Sequence, residues 1–110
     1  MSVPPIPEVH VDVLAGALAE GAAVLDVRMP DEYEESHVPG ALLVPLPELP
    51  ERVAEVPDGD PLYVICRSGA RSKSACELLV GHGRTVANVS GGTLAWIESG
   101  RPVAIGAEPG

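Results

Sequence analysis

Apolar residues along the chain fall into two alternating rhythms. Short, nearly unbroken apolar runs occupy Ala23 to Val27, Ala41 to Val44, Leu62 to Ile65 and Thr85 to Val89. Runs of that length, bounded by turn residues, predict strands buried on both faces. Val9-His10-Val11 predicts a short edge strand. Between the runs the spacing turns helical: Asp12 is placed to cap a helix through Glu20, with Leu14 and Leu18 on one face and Gly21 as its stop. A short helical turn is expected over Pro30 to Glu35 and a short helix over Leu49 to Glu55. A longer helix is expected from Ser72 to His82, ended by Gly83, and a last one from Thr93 to Ser99, after a Gly91-Gly92 turn. Residues 1–8 read as a loose lead-in and 106–110 as a frayed tail. Strands alternating with helices predict an α/β fold, a mostly parallel sheet flanked by helices on both faces. In such sheets ligands bind beyond the carboxyl ends of the strands.

Composition narrows the picture. With 110 residues the chain has room for one domain, 1–110, with a core over about 9–105. Phe is absent and aromatics total 3%, so Val, Leu, Ile and Ala must build that core. A formal net charge of −9 argues against a nucleic-acid surface, which needs clustered Lys and Arg. The distribution says more than the sum. From Pro61 to Cys76 there is no Asp or Glu, yet Arg67, Arg71 and Lys73 all fall there, a locally basic segment suited to an anion.

The N-terminus lacks a basic n-region and an apolar h-region, and no apolar run nears the roughly 20 residues that span a bilayer. Two cysteines without an export signal predict a cytoplasmic protein whose thiols stay reduced, with no membrane partner.

The chemistry concentrates at Cys66. It ends the most apolar strand, and Arg67-Ser68-Gly69-Ala70-Arg71-Ser72 lead from it into a helix. Helix N-termini present unpaired N–H groups and partial positive charge. A loop curled around the sulfur adds its own N–H groups, and Gly69 supplies the backbone freedom for that curl. Arg67 and Arg71 add fixed charge. Each effect favours thiolate over thiol and creates a nucleophile at neutral pH. Cys76, by contrast, sits inside the helix beside Ala75, Leu78 and Leu79 and reads as a small core residue. His10, His37 and His82 show no metal-ligand spacing with either cysteine, so no metal and no cofactor is expected.

Four segments in order carry a resemblance that covers most of the chain, from about Val11 to Pro102. They are Val24-Leu25-Asp26-Val27-Arg28, Tyr33 through Ala41 with His37-Val38-Pro39-Gly40-Ala41, the loop Cys66 to Ser72, and Val89-Ser90-Gly91-Gly92-Thr93-Leu94-Ala95-Trp96. Together they resemble the rhodanese-like domain family. The resemblance implies a five-stranded parallel α/β sheet and transfer of a sulfane sulfur from an anionic donor such as thiosulfate to a thiophilic acceptor. That acceptor is cyanide or a thiol, protein thiols included. It marks Cys66 as the persulfide-forming nucleophile and Arg67, Ser68, Gly69, Ala70, Arg71 and Ser72 as the substrate-binding loop. Asp26 and Arg28 become a supporting buried pair. Two positions depart from the family pattern: Ser36 stands where Gly is usual, and Arg84 where an aromatic residue is common.

Three other functions fit parts of this pattern. Cysteine phosphatases and arsenate reductases use a thiolate loop of C-x5-R form, but here Ser72 occupies the place of that Arg, one position beyond Arg71. A non-catalytic rhodanese-like binding or regulatory module typically lacks the cysteine. A dithiol redox protein would need Cys76 at the site.

Overall fold

The computed structural model of the protein describes residues 5–110. Five strands form one sheet: β1 (Glu8–Val9), β2 (Val24–Asp26), β3 (Leu42–Leu43), β4 (Leu62–Ile65) and β5 (Val86–Val89). Their order is β1-β5-β4-β2-β3, and every pairing is parallel. Helices α1 (Val11–Ala19), α2 (Pro30–Glu35), α3 (Leu49–Arg52), α4 (Ala70–Gly81) and α5 (Gly92–Glu98) fill the connections. This is the expected α/β class, and among the described residues no helix is long and apolar enough to cross a membrane.

The sheet is apolar on both sides because its strands are. On one side Leu25, Leu62, Val64 and Val86 pack with Leu49 of α3 and with Ala75, Cys76 and Leu79 of α4. On the other, Val24, Ile65, Ala87 and Val89 pack with Val11 and Leu14 of α1, Tyr33 of α2 and Trp96 of α5. Residues 72, 75, 76 and 79 of α4 are its buried ones, the i, i+3, i+4, i+7 stripe of an amphipathic helix. Trp96 is buried in this core, its indole N–H donating to the Pro102 carbonyl at 2.9 Å.

The strand order fixes where the site must lie. Chain order runs outward from the centre in one direction through β2 and β3, and in the other through β4 and β5. The reversal falls between β2 and β4, whose last residues Asp26 and Ile65 pair in register. A crevice opens where connections leave a sheet in opposite directions. The chain leaving β2 carries Arg28, and the chain leaving β4 carries Cys66.

Several expectations need correction. His10, not Asp12, caps α1: its ring Nδ1 accepts the Asp12 N–H at 3.4 Å. The Asp12 carboxylate is drawn instead to Arg101, at 2.8 Å. The edge strand accordingly ends at Val9. The helix expected over 49–55 is α only from Leu49 to Arg52, between two tight 3-10 turns, Leu46–Glu48 and Val53–Glu55. Pro47 and Pro50 deny N–H donors to a continuous helix there. Helix α4 begins at Ala70 rather than Ser72, because Gly69 in a left-handed conformation, φ 114°, turns the chain early. Gly92 likewise belongs to α5 rather than to a turn before it.

The C-terminal tail is docked rather than frayed. His37 and Ala104 exchange both backbone hydrogen bonds at 2.9 Å, Gly106 N–H donates to Glu34, and the Pro109 carbonyl accepts from Gly40 N–H at 2.8 Å. The tail places carbonyls and N–H groups against a segment, 34–40, whose own backbone groups would otherwise lack partners. Of the lead-in 1–8, residues 1–4 lie outside the described residues, while Pro7 and Glu8 join the sheet edge, Pro7 accepting from Asn88 N–H at 2.8 Å. Ser36 settles its departure from the family pattern with an extended backbone, φ −172°, which needs no glycine. Arg84 turns back to donate to the Val53 and Val56 carbonyls at 3.0 and 3.1 Å.

Candidate active site

Cys66 follows β4 directly and is 1% exposed. Gly69 N–H donates to its Sγ at 3.1 Å, and the Ser72 hydroxyl lies 3.3 Å from the same atom. Burial pushes the Cys66 thiol up. The Ser72 hydroxyl and the N–H groups of Ser72, Gly69 and Ser68 outweigh that push, and the net shift is downward. The Cys76 thiol has no such donors. Burial, with Glu8, Glu77 and Cys66 nearby, pushes it up to about 12. Hydrogen bonds shift one cysteine toward the thiolate, while burial holds the other as a thiol.

Helix α5 takes the two carbonyls at the start of the loop. Thr93 N–H and hydroxyl donate to the Cys66 carbonyl at 2.8 and 3.0 Å, and Leu94 N–H donates to the Arg67 carbonyl at 3.1 Å. With the carbonyls turned away, the opposite edges of those peptides face inward. That approach requires Gly92. A Cβ there would stand 2.5 Å from the carbonyl oxygens of both Cys66 and Arg67, and its φ is +57°. The Gly91-Gly92-x-x-x-Trp pattern thus fastens the loop with its glycine and anchors the helix with Trp96.

Asp26 and Arg28 form a buried, doubly bonded pair. Arg28 Nη2 lies 2.8 Å from Asp26 Oδ2, and Nε lies 3.0 and 3.1 Å from Oδ1 and Oδ2. The guanidinium also donates to the Ser36 carbonyl at 2.8 Å and to the Glu32 carbonyl at 3.3 Å, which ties the end of β2 to α2. Helix α2 then returns the favour to the loop. Glu32 takes Arg71 in a two-pronged salt bridge of 2.7 and 2.9 Å. The Arg71 guanidinium, with smaller help from the Met29 N–H, holds the Glu32 carboxyl at about 2 against burial. A carboxyl whose folded pKa is depressed contributes stability above its unfolded value near 4.5 and loses it as pH falls toward 2, so this pair is intact at neutral pH.

The structure therefore brings Ser68, Gly69 and Ser72 onto the sulfur, with Arg71 at the closing position. Arg67 and Ala70 are exposed at the rim. Arg71 is shared with Glu32, so less of its charge reaches the sulfur than the acid-free segment 61–76 suggests. Beside the loop opens a cleft of about 570 Å³ whose walls include Ser68, Gly69, Lys73 and Asn88. His37 is no site residue: it is buried, stacked on Tyr33 at 3.6 Å, with ring nitrogens against the carbonyls of Tyr33 and Pro109. Two residues that sequence reasoning passes over belong to the site. Glu32 gives no signal, as one acid among several in α2. Asn88, a lone amide in the apolar run Val86 to Val89, does give one.

Comparison with known proteins shows the family. A family model described as Rhodanese-like domain matches residues 10–99. A sulfurtransferase of Allochromatium vinosum is 39% identical over 100 residues, which cover 87% of this chain and 92% of that protein. The thiosulfate sulfurtransferase PspE of Escherichia coli is 43% identical over 70 residues, covering 62% and 67%. The crystal structure of a rhodanese-related protein from Thermoplasma volcanium superposes with a TM-score of 0.83 at 31% identity, over 90% of this chain and 98% of that one. The chain belongs to the rhodanese-like domain family, among its rhodanese-type sulfurtransferases.

Proposed function

We propose that the protein carries sulfane sulfur on Cys66, taking it from a small anionic donor such as thiosulfate and passing it to cyanide or a thiol. The observation that carries this reading is a sulfur buried under the loop's own N–H groups, in a ring closed five residues later by Arg71. In the first half-reaction the Cys66 thiolate attacks the outer sulfur of thiosulfate. An S–S bond forms to the enzyme, the donor's S–S bond breaks, and sulfite leaves with the electron pair. In the second, the acceptor attacks the outer sulfur and Cys66 departs as a thiolate. No redox partner is needed, since every electron pair is accounted for. Lys73 on the cleft wall favours approach of an anion against the nearby Glu8 and Glu77, and the loop's N–H groups receive it. Asp26 and Arg28 act as support, fixing α2 and through it Arg71.

The loop's size favours sulfur over phosphate. A tetrahedral phosphoryl group needs a wider ring of donors than one sulfur atom, and in the C-x5-R loops that bind it Arg closes the ring one position later. Here Ser72 fills that position and turns its hydroxyl to Sγ. The inert state of Cys76 supports one nucleophile rather than a dithiol pair, and a deprotonable Cys66 supports turnover rather than a binding module. Turnover with thiosulfate and cyanide is expected to exceed hydrolysis of an aryl phosphate by orders of magnitude. Efficient phosphatase turnover by the unmodified protein would reverse the assignment.

A further inference from the structure

Asn88 is the only carboxamide side chain in the sequence, and it is buried in β5. Its Nδ2 stands 3.1 Å from both carboxylate oxygens of Glu8, its register partner on β1, and 3.1 Å from the Gly69 carbonyl. All of these partners accept and none donates. Turning the amide over would set Oδ1 against three oxygens, so its surroundings fix its orientation. Oδ1 then faces the Ser72 hydroxyl, which donates to it in a very short hydrogen bond. The same hydroxyl has Cys66 Sγ at 3.3 Å and the Gly69 carbonyl at 3.2 Å. Ser72 carries one hydroxyl proton for these three acceptors.

We propose that Asn88 is a positioning residue for Cys66, acting by competition with the sulfur for the single proton of the Ser72 hydroxyl. The inference rests on the reading of Cys66 as the nucleophile. When Cys66 is a thiol, its S–H donates to Ser72 Oγ and Ser72 donates to Asn88, so every group is satisfied. When Cys66 is a thiolate, Ser72 must turn to the sulfur, and the buried Asn88 Oδ1 loses its donor at a cost. As sulfur is captured, negative charge leaves Sγ for the outer sulfur, and the Ser72 proton returns to Asn88. When sulfur is passed on, Sγ departs as thiolate and regains the proton. Asn88 thereby keeps Cys66 basic enough to attack, at the expense of its quality as a leaving group.

The charged groups packed around the loop are Glu8 on β1, Asp26 at the end of β2, Arg28 after it, Glu32 on α2, Arg67 in the loop, and Arg71, Lys73 and Glu77 on α4. Among the described residues, Ser72 is the side chain that hydrogen-bonds to Sγ. A change confined to Asn88 therefore reaches the sulfur by two routes of opposite sign: through the Ser72 hydroxyl, and through Gly69, whose carbonyl Asn88 holds and whose N–H donates to Sγ.

The test is titration of Cys66 by thiolate absorbance, in a window where Cys76 stays protonated. Asn88→Ala is expected to lower the midpoint by about half to one pH unit, the worth of one hydrogen bond. Ser72→Ala is expected to raise it, and the double variant to follow Ser72→Ala. At a pH above both midpoints, where Cys66 is thiolate in either protein, Asn88→Ala should also form the persulfide more slowly and release sulfur to cyanide faster. A merely structural role predicts the opposite sign, since a loosened loop loses its N–H donors and the midpoint rises.

A second measurement needs no change at Asn88. In the wild type the Asn88 side-chain carbonyl 13C resonance should move upfield with the Cys66 midpoint, and in Ser72→Ala that movement should vanish. An unchanged or raised midpoint in folded Asn88→Ala overturns the inference, as does an Asn88 resonance that does not follow Cys66 or that follows it equally in Ser72→Ala. Titrations that behave as described in a wild type that takes sulfur from no donor would instead overturn the sulfur-transfer reading and leave the competition standing.

Discussion

Cys66→Ser is expected to abolish sulfur transfer while leaving the fold intact. Serine is nearly isosteric, and the Gly69 N–H and Ser72 hydroxyl that now face Sγ can face an oxygen. The hydroxyl stays protonated near neutral pH, however, and an oxygen cannot hold a persulfide. Cys76→Ala should keep most of the activity, because that thiol is pushed up to about 12 and takes no part. Its cost is packing: a sulfur removed from the fully buried cluster with Leu79 and Val64 should lower stability by about 1 kcal/mol. Sulfur transfer with thiosulfate and cyanide, measured beside circular dichroism for each variant, separates the two. Loss of activity in a folded Cys76→Ala equal to that in Cys66→Ser would return the dithiol reading.

Arg28→Ala is expected to be the most damaging change to stability. Asp26 is fully buried, and Arg28 supplies its charge partner on both carboxylate oxygens. Removing one member of a buried pair leaves the other charge uncompensated, at a cost of about 3–5 kcal/mol. The Ser36 and Glu32 carbonyls lose their donor in the same step, and α2 loosens from the sheet. Arg71 then loses the fixed position of Glu32, so capture of donor should weaken in whatever protein remains folded. Arg28→Lys should not rescue it, because an ammonium cannot span both carboxylate oxygens and two carbonyls in one plane. Urea unfolding checks this. A loss below about 1 kcal/mol would mean that Asp26 finds another partner or a proton, and the pair would not be the brace described above.

The parts of the fold that the sequence makes legible are those where one signal acts alone. Strand β4 runs from Leu62 to Ile65 as expected, because an unbroken apolar run between Pro61 and the polar loop has only one way to be buried on both faces. Helix α2 is legible for a similar reason, with Pro30 at its first turn followed by acidic residues. Where two local signals compete, the sequence is ambiguous. Asp12 is a better cap by type than His10, but Arg101, 89 residues away, claims its carboxylate. Ser72 looks like a helix start, yet its hydroxyl is used on Sγ and Asn88, and Gly69 starts the helix instead. The docked tail is hidden because its stability lies wholly in partners far along the chain, such as Gly40 with Pro109.

The site divides in the same way. Cys66 and the loop that follows it are contiguous, so the nucleophile and its N–H donors can be read together. Glu32 stands 39 residues from Arg71 and cannot be linked to it without the sheet that brings α2 to the mouth of the loop. The help from α5 is half legible. Gly91-Gly92 marks a close approach, but only the packing shows that the approach is to the carbonyls of Cys66 and Arg67.

The central claim is that Cys66 holds sulfur covalently, and the mass of the intact protein after incubation with thiosulfate tests it most directly. The account predicts a gain of about 32 Da, one sulfur atom, that maps to Cys66 and disappears on addition of cyanide or a reducing thiol. An unchanged mass with every sulfane donor, or added sulfur that maps to Cys76, would contradict it.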